Sequence, residues 1–334
     1  MSENIVPGKI TPRNIVICCD GTGNQYGPNN TNVVKLYEAI EKDATQIAFY
    51  DPGVGTFGSK AVFTKPGRKF TRFLGLMVGF GITRNIEDGY EFLMNTYREG
   101  DRIYLFGFSR GAYTARALAG MVYKCGLLRK GNKNLIPYAS KMYHNDNEKV
   151  VEGFKKAFSR ECKIHFVGVW DTVKSVGLLL PRKFPNAKLN PDVKNGYHAL
   201  AIDEKRSKFP PNLWDSLPDH SQQTIEQVWF AGVHSDVGGW YKEAGLSNIC
   251  LKWMIEKAGA CDLKIDPGAY PKPGHTPDHT DKKHKSFRGF WLILFSRIRE
   301  IKEGSVIHRS AINRIRDVKE YKPTNLPKNY TIAD

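Results

Sequence analysis

Gly107-Phe108-Ser109-Arg110-Gly111 form a G-x-S-x-G run, and Ser109 is the side chain in it that could do chemistry. In this pattern a serine sits on a sharp strand-to-helix turn that pushes its hydroxyl outward. The flanking glycines avoid the clashes a Cβ would cause. The five-residue pattern alone arises by chance, so its surroundings decide. Here the apolar run Arg102–Phe106 leads into it and the helix-like run Ala112–Tyr123 follows directly. That context is right for a nucleophile.

A hydroxyl attacks well only when a base takes its proton and an acid orients the base. On this type of turn the chain order is serine, acid, histidine, each at the carboxyl end of a strand. Two later apolar runs supply partners: Lys163–Trp170 ends at Asp171, and Gln227–Val233 ends at His234. Nine histidines compete for the base role. His275, His279 and His284 lie in a Pro-rich, loop-like stretch, and His165 lies inside a strand. His198 and His220 remain rivals, but His234 has the best position. Asp171 is the predicted acid, with Asp236 and Asp203 as alternatives. The oxyanion formed on attack needs backbone donors. One is the N–H of Arg110, directly after the serine. The other is expected from Asp20-Gly21-Thr22-Gly23-Asn24, at Gly21 or Thr22, provided the Asp20 carboxylate faces away.

These residues must be held by elements, and the sequence indicates which. Asn14–Cys19, Gln46–Tyr50 and the three runs above are short, apolar and β-rich, and each stops abruptly at polar or glycine residues. Such runs suit a parallel sheet covered on both faces. Helical spacing falls between them, at Asn32–Lys42 with Thr31 as cap, at Arg84–Arg98, after the serine, and at Leu246–Ala258. Alternating strand and helix predicts a doubly wound α/β sheet of the α/β-hydrolase type. We expect one domain over residues 1–334, with a core from about 14 to 258. Insertions are expected near 58–81 and 262–285, and a basic segment covers 286–334.

The net charge of +16, from 50 Lys and Arg against 34 Asp and Glu, favours polyanionic surfaces such as acidic lipid headgroups. No specific nucleic-acid recognition is expected. Phe73, Leu74, Met77 and Phe80, beside a basic run, are candidates for a lid or membrane contact. So are Phe290, Trp291 and Phe295, flanked by Lys282, Lys283, Lys285, Arg297 and Arg299. Six scattered cysteines do not form a disulfide framework. With no secretory leader and no apolar stretch of spanning length, the expectation is a cytoplasmic chain able to sit at a membrane surface. Gly53-Val54-Gly55-Thr56-Phe57-Gly58 matches a dinucleotide fingerprint but lacks the following helix and acid, so no nucleotide cofactor is expected.

The strings CCDGTGN, TNVVKLY, DPGVGT, FGFSRGAYTAR, VWDTV, HALAIDE and WFAGVHSDVGGWY resemble the catalytic domain of type VI secretion phospholipase effectors, from about Asn14 to Ala258. The resemblance implies an α/β-hydrolase fold and phospholipid ester hydrolysis by Ser109, Asp171 and His234, without a cofactor. Two rival readings stand beside it. One is a metal-dependent phosphoesterase built on Asp20, Asp171, His234 and Asp236. The other is a basic scaffold for acidic membrane or nucleic acid, carrying a decayed hydrolase site.

Overall fold

The computed structural model describes residues 11–21, 26–53, 68–173, 189–207, 209–215, 222–286 and 296–334, with backbone alone for 68–80. The first half runs β1 (Asn14–Cys19), α1 (Asn32–Ala39), β2 (Gln46–Asp51), α2 (Arg68–Thr96), β3 (Arg102–Phe108) and α3 (Arg110–Cys125). A short antiparallel pair, β4 (Leu127–Leu128) with β5 (Ser159–Arg160), brackets α4 (Ile136–Tyr143) and α5 (Glu148–Phe158). Then come β6 (Ile164–Trp170), β7 (Val193–Ala201), β8 (Thr224–Phe230), α6 (His234–Gly238) and α7 (Gly245–Gly259). The last elements are β9 (Ser305–His308), α8 (Arg309–Asp317) and β10 (Tyr330–Ala333).

Eight strands form one sheet in the order β10-β9-β8-β7-β6-β3-β1-β2, and every neighbouring pair is parallel. The apolar runs explain why. Successive strand residues point to opposite faces, and in β1 both sets are apolar. Ile15, Ile17 and Cys19 join the core on one face, with residues of α2, α3 and α4. Val16 and Cys18 join the core on the other, with residues of α1 and α7. Both faces are therefore covered, as a parallel sheet requires. Each fully buried Ile or Leu contributes about 1.5–3 kcal/mol relative to exposure.

The chain runs from β1 outward to β2, then crosses back to place β3 on the other side of β1. That reversal makes a topological switch point at the carboxyl ends of β1 and β3, where open α/β sheets place their sites. Asp20-Gly21 and Ser109 are the residues that follow these two strands.

Two features differ from the sequence reading. Helix α2 begins at Arg68 and not near Arg84, so it runs through the expected insertion. Gly75, Gly79 and Gly81 each cost a helix about 1 kcal/mol relative to alanine, which is why the stretch reads as non-helical. The sheet also continues past the expected core, since β9 and β10 extend it from β8. A third apolar cluster, including Trp229, Ile301, Ile307 and Tyr321, fastens this edge. The six cysteines are free, as expected.

Candidate active site

Ser109 stands between β3 and α3 with φ 58 and ψ −116, a left-handed conformation that non-glycine residues rarely hold. Such geometry costs about 1–3 kcal/mol and persists only where its surroundings enforce it. The enforcement is visible. The Ser109 N–H donates to Trp170 O at 3.1 Å, and its carbonyl accepts from Tyr113 N at 3.3 Å. A Cβ on Gly111 would lie 2.6 Å from Asp20 O, and one on Gly107 would lie 2.6 Å from Ala112 N. Both contacts are with backbone, which cannot step aside. The two glycines thus allow the turn to press against β1, and Ser109 remains partly exposed.

Asp171 follows β6, the neighbour of β3, and Phe108 pairs in register with Trp170. Nucleophile and acid candidates therefore emerge side by side. Asp171 also has a positive φ, 42. Of the four non-glycine residues with positive φ among those described, two are therefore predicted site residues. Strain concentrates here.

His234 opens α6 just after β8 and is 5% exposed. Its Nδ1 lies 2.6 Å from Asp171 Oδ2. Its ring packs on Phe108, the residue before Ser109, with centroids 4.7 Å apart, and meets Phe209 edge-on at 5.2 Å. Its backbone N–H donates to Glu204 Oε2 at 3.2 Å. Glu204 is in turn gripped by the Arg206 fork at 2.9 Å to each oxygen. Burial alone would raise the Glu204 carboxyl, but the Arg206 fork draws it down to about 2. The histidine is held on all sides.

The Asp171 carboxylate is fully buried and accepts from four donors. Ala201 N reaches Oδ1 at 3.0 Å, Arg299 Nη1 reaches Oδ1 at 2.6 Å, and Arg299 Nη2 reaches Oδ2 at 3.0 Å; His234 supplies the fourth contact. Burial pushes this carboxyl up, but the Arg299 guanidinium and His234 reverse the effect and hold it well below the ordinary range.

The other sequence candidates lie elsewhere. Asp20 accepts from Thr31 Oγ1 at 2.7 Å and from Tyr50 OH at 2.9 Å. Asp236 caps its own helix through Val233 N at 3.0 Å and holds His284 Nδ1 at 2.7 Å. Asp203 binds Gly232 N at 2.7 Å and Tyr321 OH at 2.9 Å. Among the histidines, His198 is buried in β7 and accepts from Thr172 N at 3.1 Å. Its burial, and then the charge of Arg116, push it down to about 3, so it remains a neutral acceptor. His165 bonds Cys261 O, and His279 pairs with Asp317. His275 is buried outside the sheet, and His220 lies outside the described residues.

For the oxyanion, one expectation needs correction. The Gly21 N–H donates to Asp20 Oδ1 at 2.6 Å, so it is committed to an acceptor of higher charge than any carbonyl. Thr22 lies outside the described residues. Arg110 opens α3, whose first turn carries the amides and the positive end of the helix dipole. Phe73, Leu74, Met77 and Phe80 occupy α2, with only their backbone described, while Phe290, Trp291 and Phe295 lie outside the described residues. No group of three or more His, Cys, Asp or Glu among the described residues is arranged to hold a metal ion. No helix among them is long and apolar enough to cross a membrane.

The family model "T6SS, Phospholipase effector Tle1-like, catalytic domain" matches residues 13–257. The chain belongs to this family. A relative, the uncharacterized protein YEL023C of Saccharomyces cerevisiae, is 39% identical over 226 residues, covering 62% of this chain and 33% of its own length. An uncharacterized protein from Pseudomonas aeruginosa, known from its crystal structure, aligns with TM-score 0.46 and 19% identity. That alignment covers 80% of this chain and 49% of the other. The Tle1 effector bound to the VgrG spike of the type 6 secretion system aligns with TM-score 0.40 and 18% identity, covering 70% and 52%. The chain thus spans a third of the yeast relative and about half of each structural neighbour. Arg299 and Glu204 are the two site residues that the sequence reading missed. Glu204 stands in the HALAIDE string, three residues beyond Ala201 at the end of β7, whereas Arg299 sits in a basic run that reads as solvated surface.

Proposed function

We propose that this chain is a serine hydrolase that cleaves carboxylic ester bonds of membrane phospholipids. The observation that carries the reading is the 2.6 Å contact between His234 and Asp171 beside a serine held at positive φ. With Nδ1 tied to Asp171, the imidazole presents Nε2 as its free base. In the proposed reaction His234 takes the Ser109 proton as Oγ bonds to the ester carbonyl carbon. The carbonyl oxygen becomes an oxyanion, held by the N–H of Arg110 and by that of Thr22. Collapse of the intermediate breaks the ester C–O bond, and His234 returns the proton to the departing alcohol. Water, deprotonated by His234, then attacks the acyl carbon; the acyl–Oγ bond breaks, His234 returns the proton to Ser109, and the fatty acid leaves. Each step uses groups of the chain itself and one water.

The phospholipid substrate is supported by the family description and by the positive charge, which favours acidic headgroups. We place the enzyme's action at a membrane surface. The metal phosphoesterase reading is disfavoured because the carboxylates of Asp20, Asp171 and Asp236 are occupied by protein donors. The test is release of fatty acid from vesicles of mixed phosphatidylcholine, phosphatidylethanolamine and phosphatidylglycerol, read by mass spectrometry. Release by the wild type that Ser109→Ala abolishes and EDTA leaves intact supports the reading. Release that survives Ser109→Ala and stops with EDTA contradicts it.

A further inference from the structure

We infer that Arg299, which lies beyond the residues matched by the family model, is a positioning residue that neutralises the acid of the site. Its charge offsets the pull of that acid on an imidazolium at His234. The inference rests on the Ser109–His234–Asp171 reading and adds a fourth member to it from the C-terminal segment.

The guanidinium is 5% exposed. It forks onto both oxygens of Asp171, at 2.6 and 3.0 Å, and donates to Ala201 O at 2.9 Å and Phe209 O at 2.8 Å. Four of its five N–H groups are thereby used in one planar arrangement, which lysine cannot reproduce. The carbonyl contacts matter as much as the fork. Ala201 ends β7 and also donates its N–H to Asp171, while Phe209 places its ring against His234. One side chain therefore fixes the acid and the loop that walls the base. Its own position is set by Asn325 Nδ2, which donates at 3.0 Å to both Arg299 O and Ile202 O.

The electrostatic consequence follows from counting charge. A buried carboxylate beside Nδ1 favours an imidazolium over the neutral ring, and so opposes loss of its proton. With Arg299 bound to the same carboxylate, the pair is neutral, and the imidazolium gains less from it. Two carboxylates near His234 have partners of their own. Glu204, at its backbone N–H, is paired with Arg206, and Asp236, two residues on, is paired with His284. The fork thus offsets the charge of the acid while it holds the acid's orientation by geometry.

The test measures kcat/KM against pH from 5 to 9 with a short-chain p-nitrophenyl ester for wild type, Arg299→Gln and Arg299→Lys. The imidazole titration is followed in parallel by NMR on histidine-labelled protein. Arg299→Gln should move the acid limb and the His234 titration midpoint upward by about one pH unit or more, the size of effect expected from a charge a few Å away. Arg299→Lys keeps the charge and should leave the limb near that of the wild type. It should still lower kcat by on the order of 100-fold, since the fork and the Phe209 tether are lost. An unmoved limb and midpoint in Arg299→Gln, or Arg299→Lys within threefold of wild type, overturns the inference. If Arg299→Gln does not fold, the lysine variant decides alone. The NMR midpoint answers even if the wild type hydrolyses no ester, an outcome that sinks the triad reading and not the electrostatic one.

Discussion

Asp171→Asn is the most informative single substitution, because the structure fixes what each atom of the new side chain would meet. The carboxylate now accepts four bonds, two at each oxygen. An asparagine offers one oxygen and one NH2, so whichever way it turns, the NH2 confronts two former donors. Turned toward Oδ1, it faces Ala201 N–H and Arg299 Nη1; turned toward Oδ2, it faces Arg299 Nη2 and His234. The second orientation is the less costly, since His234 can shift its proton to Nε2 and accept at Nδ1. That tautomer has no lone pair with which to take the Ser109 proton. The expected result is a fall in kcat of about 10⁴-fold with little change in KM. Stability should fall too, by about 3–5 kcal/mol, because Arg299 is left as a buried charge without its counter-ion.

The pH dependence has a definite sign. The folded Asp171 carboxyl is held below its ordinary value, so its stabilising contribution is complete above about pH 4 and is lost only as pH falls through the lower folded value. The part of the Asp171→Asn deficit that comes from titration of this carboxyl itself should therefore be constant between pH 5 and 9. Urea unfolding across that range and steady-state hydrolysis of a p-nitrophenyl ester measure both effects. An asparagine variant within tenfold of wild-type kcat would refute the assignment of Asp171 as the orienting acid.

Two other substitutions probe the scaffold. Asp51, buried at the end of β2, is pushed up to about 6 by burial, with further contributions from Asp88 and Asp20, against the ordinary 3.8. This carboxyl therefore costs stability as pH rises from about 4 to 6 and beyond, a penalty of about 3 kcal/mol when fully charged. Asp51→Asn should stabilise the protein in urea melts at pH 7.5 and do almost nothing at pH 4; equal effects at both would contradict the assignment. Gly111→Ala forces a Cβ against the carbonyls of Cys19 and Asp20, so the turn must open, with a loss of about 1–3 kcal/mol or more and of activity. Gly153→Ala in α5 meets nothing within 4 Å and should instead stabilise by up to about 1 kcal/mol, and the two thermal melts should move oppositely.

The placement of the candidate residues is legible because parallel sheets write their strands as uninterrupted apolar runs and leave polar residues where those runs stop. Ser109, Asp171 and His234 each stand at such a stop, and the sheet brings the ends of β3, β6 and β8 to one edge. What was not legible is non-local. Arg299 lies 128 residues from the carboxylate it binds, in a run of basic residues with no periodicity to mark one of them as buried. Strands β9 and β10 have four residues each, too few for a pattern, and their pairing depends on the exposed edge of β8. The Gly21 N–H turns back onto its own neighbour, a local bond that spacing does not reveal. Helix α2 reads as shorter than it is because its glycines mask the helical residues between them.

The most direct measurement is covalent labelling by a fluorophosphonate, followed by intact mass and peptide mapping. A hydroxyl activated by His234 should take up one adduct per chain, located on Ser109, slowed by orders of magnitude in His234→Asn and absent in Ser109→Ala. An adduct that persists in Ser109→Ala, or a folded wild-type chain that takes up none, would contradict the account.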